Sequence, residues 1–152
     1  MNDVWIRLRV GWSPQGGATA LGWAQWQPKH IAAPWPAEEM RPSFTYYACE
    51  ELKGGGRAIV ARATVVGVLR PTVVESAEIA HKVIADQLFD DQLTIDYEAW
   101  STNAYNRVKA SAPWPQRVTA WRVVTEPVGP HFLPELLRFP HSGWLRSARI
   151  GL

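Results

Sequence analysis

The run Arg57-Ala-Ile-Val-Ala-Arg-Ala-Thr-Val-Val-Gly-Val-Leu-Arg70 most constrains what this chain can fold into. It is rich in β-branched residues, holds no proline, and opens just after Lys53-Gly-Gly-Gly56, which reads as a hairpin turn. Alternation puts Ile59, Ala61, Ala63 and Val65 on one side and Ala58, Val60, Thr64, Val66 and Val68 on the other. Apart from Arg62 neither side is strongly polar. A strand apolar on both faces needs cover on both, as in a central strand or a strongly curved barrel. Phe44-Thr-Tyr-Tyr-Ala-Cys49 is its expected hairpin partner.

Other elements follow from periodicity and turn chemistry. Val4 to Val10 alternates, with Val4, Ile6, Leu8 and Val10 inward and Trp5, Arg7 and Arg9 outward. A second strand is expected within Ala18 to Trp26. Gln27 to Pro36 carries three prolines, which exclude a helix interior or central strand, so it reads as a surface loop with Trp35 held between Pro34 and Pro36. Val74 to Phe89 predicts a helix, with Ala77, Ala80, Val83, Ile84, Ala85 and Leu88 at helical spacing. Gln92 to Trp100 reads as extended, and Ser101 to Lys109 as a short capped helix. Ala112-Pro-Trp-Pro-Gln116 repeats the proline-bracketed tryptophan. Arg117 to Thr125 predicts a strand, Pro127 to Pro130 a turn, Phe132 to Phe139 a short helix or helical turn, and Pro140 to Gly143 another turn. Trp144 to Leu152 is expected to close the fold as a strand with Leu145, Ala148 and Ile150 inward. The fold class is therefore α+β: a small curved β-barrel with two or three inserted helices.

At 152 residues the chain reads as one domain, 1–152, large enough to need no staples. Cys49 is the single cysteine, so no intrachain disulfide is possible. The N-terminal segment has charges where a secretory signal needs an apolar run, and no window is apolar for about 20 residues. The expectation is a soluble, cytoplasmic protein with no membrane partner.

Net charge is only +2, but it is unevenly spread. Six acids against Lys82 lie between Ala77 and Trp100, whereas from Ser101 onward seven bases face two acids. Five arginines follow Trp114, and arginine suits forked contacts with phosphate or a base edge. The bland reading places them on solvated faces. Nine tryptophans are also unusual, and most are expected to be core or half-buried.

No chemistry is spelled out. Cys49 sits mid-strand, where a buried structural cysteine is expected rather than a nucleophile. There is no Gly-x-Ser-x-Gly, no His-Glu-x-x-His and no P-loop. The four histidines, His30, His81, His131 and His141, lack metal-ligand spacing, so neither a metal nor a cofactor is expected. What remains is aromatic rings interleaved with arginine, the pattern that holds a base by stacking and neutralises phosphates. Candidate members of a base-binding cage are Trp35, Tyr46, Tyr47, Trp100 and Trp114. Candidate phosphate contacts are Arg57, Arg117, Arg146 and Arg149.

Phe44-Thr-Tyr-Tyr47, the glycine turn and the strand from Arg57 to Val68 resemble the core hairpin of PUA-like domains, especially the EVE and ASCH branches. Arg117 to Val124, Phe132 to Leu137 and Gly143 to Ile150 are similar to the late strand, short helix and closing strand of that fold. The N-terminal strand and loop find no clear match, and the acidic helix Val74 to Phe89 looks like an insertion. The resemblance implies a curved pseudo-barrel that recognises modified or flipped bases in DNA or RNA without catalysis. Two other classes stay open. One is a small enzyme on an acyl or nucleotide substrate, with Cys49 or Asp96 beside a histidine. The other is a protein-interaction module docking a partner through its Pro-Trp-Pro loops. An aromatic cage can also hold a small cationic ligand.

Overall fold

The computed structural model describes residues 3–8, 34–52, 54–88, 113–135, 137–140 and 142–147, with the backbone alone of 23–27. They contain six strands and one helix: β1 Val4–Leu8, β2 Trp23–Gln27, β3 Thr45–Glu51, β4 Arg57–Val74, α1 Ala77–Leu88, β5 Gln116–Phe132 and β6 Trp144–Ser147. The extended segment Gln92 to Trp100 and the short helix Ser101 to Lys109, expected from sequence, lie outside the described residues. The class is α+β with a mixed sheet. The chain packs as two compact units, and β4 and β5 contribute one half to each.

In the first unit the strands follow the order β5-β4-β3-β1-β6. β3 and β4 form the expected antiparallel hairpin, from Thr45 opposite Thr64 to Glu51 opposite Arg57. β1 pairs parallel with β3 and antiparallel with β6, so the sheet is mixed. The described pairings leave β5 and β6 at the ends of this order and close no barrel. One face packs Ile6, Cys49, Ile59 and Leu133 together with Val4, Leu8 and Tyr47, the side of β1 expected to face inward. The opposite face buries Tyr46, Ala48, Ala61, Ala63 and Trp144, with Met40 from the segment after Pro36.

One expectation for this unit needs correction. Ala48 pairs with Ala61 but Cys49 pairs with Ile59, so Val60 is an extra residue, a bulge. It transfers Ile59 and Arg57 to the Cys49 face, away from Ala61 and Ala63. On β6 Leu145 pairs with Ile6 and is half-buried, while Trp144, on the other side of the sheet, is fully buried.

In the second unit the order is β2-β5-β4, with Trp23 to Gln27 antiparallel to Trp121 to Arg117. Helix α1 buries Ala77, Ala80, Ile84 and Leu88 against Leu69, Val74, Val118 and Ala120. It starts later than Val74, because that residue completes β4. Ser76 is its cap: the side-chain oxygen accepts from Ile79 N–H at 3.2 Å. At the other end Arg122 donates to the Leu88 carbonyl at 3.3 Å, satisfying one of the acceptors that a helix terminus leaves open. No described helix is long and apolar enough to cross a membrane.

Both long strands run through prolines. β4 continues past Pro71, and β5 past Pro127 and Pro130, where a turn was expected. Among the described residues of its unit each of these halves is an end strand, and a residue without an N–H is tolerated on an edge. Phe132 to Phe139 contains no helix among its described residues, only one turn in which Leu137 N–H reaches the Pro134 carbonyl at 3.0 Å.

Candidate functional site

The first unit carries a cleft of about 310 Å³ at the glycine turn between β3 and β4. The turn places Gly54, Gly55 and Gly56 at φ values of 94°, 104° and 83°, a left-handed path that glycine follows without a Cβ clash. Leu52 N–H donates to Gly56 carbonyl at 2.9 Å and Gly55 N–H to Leu52 carbonyl at 3.0 Å, so the turn is closed by its own backbone. Opposite it runs the segment after β5, anchored where Leu133 N–H donates to the Arg57 carbonyl at 3.0 Å. Leu133, Leu137 and Phe139 line the apolar side of the cleft, and they pack against the Ile6, Cys49 and Ile59 cluster.

The polar side is built on Arg57. Its guanidinium carbon lies 5.4 Å from the centroid of Phe139, a cation–π distance. One nitrogen is 3.5 Å from the Leu137 carbonyl and another 3.5 Å from Glu51 Oε1. Arg138 and Glu135, both exposed, complete the rim. The wall therefore carries one aromatic ring, Phe139, with two guanidiniums, Arg57 and Arg138, and two carboxylates, Glu51 and Glu135. The Val60 bulge is the local reason Arg57 takes part, since it brings that residue to the face bearing Cys49.

Beneath this site the thiol of Cys49 is fully buried. Burial pushes its pKa up to about 11, and the positive charge of Arg57 only partly opposes the shift. A thiol so held is protonated at neutral pH and is no nucleophile. Asp96, the other residue considered for an enzyme, lies outside the described residues. Among the described residues no group of three or more His, Cys, Asp or Glu side chains is placed to hold a metal ion.

The residues singled out from sequence are not brought together as one cage. Tyr46 is core, 3 % exposed, with its ring 4.9 Å from that of Trp144, so it offers no open wall to a base. Tyr47 points to the other face and packs on the Ile6 cluster. Trp35 is half-buried in a segment tied down by the Ser142 hydroxyl, which donates to the Pro34 carbonyl at 2.6 Å. Trp114 belongs to the second unit, where it packs on the core under α1. Trp100 and Arg149 lie outside the described residues. Of the arginines, Arg57 lines the cleft, Arg146 stands on β6 in the first unit and Arg117 is exposed on β5 in the second. Phe139, Arg138 and Glu51 are not among the candidate site residues read from the sequence. The one local signal was the Arg138-Phe139-Pro140 triplet, an arginine beside an aromatic where proline forbids continued helix. No family model, curated protein or solved structure matches this chain.

Proposed function

We propose that the chain is a non-catalytic nucleic-acid-binding module that takes one modified or flipped nucleotide into the cleft between Arg57, Arg138 and Phe139. The observation that carries this reading is the Arg57 guanidinium lying 5.4 Å over Phe139 at the mouth of the cleft. Clefts of about 300–1,000 Å³ are the range that small ligands occupy. A base extruded from its stack is held by rings and planar cations, at roughly 1–3 kcal/mol per stacked base. The two polar contacts of Arg57 are each 3.5 Å long, at the far end of the hydrogen-bonding range, so the guanidinium exchanges Glu51 for a phosphate at little loss. Arg138 supplies the second positive charge. With this reading goes the finer fold, a PUA-like curved pseudo-barrel, and a cytoplasmic location.

The test is a titration of the isotopically labelled protein with nucleoside monophosphates and short oligonucleotides, plain and base-modified, at low salt. The expected result is that amide signals of Gly55, Gly56, Arg57, Leu133 and Leu137 shift together, most for one modified base, and that Arg57→Ala removes the shifts. If none of the nucleotides moves these signals, the proposal falls.

A further inference from the structure

On β1, Trp5 and Arg7 lie on the opposite side of the sheet from Ile6. The antiparallel register with β6 sets Trp5 opposite Arg146 and Arg7 opposite Trp144. Each pair is a tryptophan with a guanidinium over it, at 5.7 Å for Arg146 on Trp5 and 5.4 Å for Arg7 on Trp144. The indoles meet edge to face at 6.2 Å, so the four side chains form an alternating ladder.

The two rungs differ in exposure. Trp144 is fully buried, and the inner rung joins β6 to β1 much as any cross-strand pair does. In the outer rung Trp5 is half-buried and the Arg146 side chain is 56 % exposed. Arg146 forms an ion pair with Asp3, at 3.5 Å with that carboxylate 47 % exposed. An ion pair so open to water contributes little stability. Asp3 therefore occupies, weakly, the place an incoming anion would take. Among the described residues β6 ends the strand order of this unit, which leaves the ladder at that end of the sheet.

We infer that the outer rung, Trp5 with Arg146, is a contact for single-stranded nucleic acid: Trp5 stacks a base and Arg146 leaves Asp3 for a phosphate. The inference rests on the nucleic-acid reading above and extends its footprint from one nucleotide to a strand. Cleft and ladder lie on opposite faces of one sheet, because Arg57 shares the side of Cys49 and Trp5 does not. A ligand touching both must be longer than a mononucleotide. The occupant is assigned as nucleic acid rather than an acidic peptide, because the rung sets an aromatic face beside a cation, and a base with its phosphate satisfies both together.

The experiment compares the full chain with Arg146→Gln, Arg146→Lys, Asp3→Asn and Arg57→Ala. Ligands are a mononucleotide, a single strand of about 12 nucleotides and an oligoglutamate peptide, each at several salt concentrations. Expected for the single strand is a loss of about tenfold in R146Q, with the slope of log affinity against log salt falling by about one. R146K keeps the slope, and D3N binds the strand about two- to fivefold more tightly because its competitor is gone. The mononucleotide reports the cleft alone. If R146Q and D3N leave strand affinity and salt slope unchanged while the mononucleotide still binds, the ladder is structural and the inference is overturned with the cleft intact. Equal binding of oligoglutamate overturns it also. If the mononucleotide fails and R57A changes nothing, yet R146Q weakens the strand, the cleft reading falls and the ladder stands.

Discussion

Arg57 and Phe139 come from two separate segments of the first unit, Ala32–Val65 and Val124–Leu152, yet the guanidinium of one lies 5.4 Å from the ring centroid of the other. The same arginine approaches the carbonyl of Leu137, 80 residues away, at 3.5 Å. Three features make the meeting possible: the bulge at Val60, the closed glycine turn and the backbone bond from Leu133 to Arg57. The aromatic–cation pair is thus a product of the fold and not of any local motif.

If that pair holds the ligand, its two members fail differently. Arg57→Lys keeps the charge but loses the planar surface, and nucleotide affinity is expected to fall about threefold to tenfold, in line with a cation–π contact of ~0.5–1 kcal/mol or slightly more. Phe139→Ala removes the stacking face and is expected to reduce affinity by about 5- to 150-fold, the equivalent of roughly 1–3 kcal/mol. Isothermal titration with the preferred mononucleotide, alongside urea melts to show that both variants fold, checks the order of these effects.

The second unit gives a purely structural contrast on one helix. Ile84 is 3 % exposed in the core beneath α1, whereas Ile79 is 44 % exposed. Ile84→Ala should destabilise by about 2–5 kcal/mol, and Ile79→Ala by less than about 0.5 kcal/mol. Ser76→Ala, which removes the cap on Ile79 N–H, should cost about 1 kcal/mol. Urea unfolding followed by circular dichroism separates the three.

Much of this architecture is legible in the sequence where one local signal decides it. The β-branched run after three glycines gave β4 and its pairing with Phe44 to Cys49, and the spacing of Ala77, Ala80, Ile84 and Leu88 gave the buried face of α1. Signals that depend on neighbours misled. Pro71, Pro127 and Pro130 read as strand ends, yet among the described residues each lies where its strand ends the order of its unit, and proline is tolerated on an edge strand. Both sides of β6 are packed: Leu145 pairs with buried Ile6, and Trp144 on the other side meets Tyr46 and Trp5. For the site, Arg57 was legible as a cation beside a turn. Phe139 was not, because nothing near Phe139 announces a partner 80 or so positions earlier. Tyr46 was named for the right chemistry in the wrong place, its parity on β3 sending it into the core.

Gly129 is where a small change should disturb β5 most. Its φ is 67°, and a Cβ there would collide with the backbone nitrogen and the ring of His131 and press on the Ile59 carbonyl at 3.1 Å. Two of those three neighbours are backbone atoms, which cannot swing aside. Gly129→Ala is expected to destabilise by more than about 1 kcal/mol, and because the strand leads into Leu133, to weaken ligand binding in the cleft as well. Gly55→Ala, with nothing within 4 Å of its added Cβ, is strained by its φ of 104° alone and should do less. Paired urea melts and ligand titrations test that order.

Cys49 links the core to the site through pH. Burial raises its pKa from 9.0 to about 11 in the folded chain, with Arg57 acting in the opposite sense. Below pH 9.0 both folded and unfolded chains keep the proton, so the thiol adds no pH dependence there. Between pH 9.0 and about 11 the unfolded chain releases its proton and the folded chain does not, so stability falls as pH rises through that window. The difference in urea midpoint between the natural chain and Cys49→Ala, followed from pH 8 to pH 10, should therefore change to the disadvantage of the natural chain as pH increases. Iodoacetamide at pH 8 should leave the folded thiol unmodified and label it fully in urea. Arg57→Gln removes the charge that opposes the shift, so it should make the folded thiol still harder to ionise. From pH 9.0 to pH 10 the loss of stability is set by the unfolded thiol, so the same urea-midpoint comparison made in R57Q should show the same slope as in the natural chain.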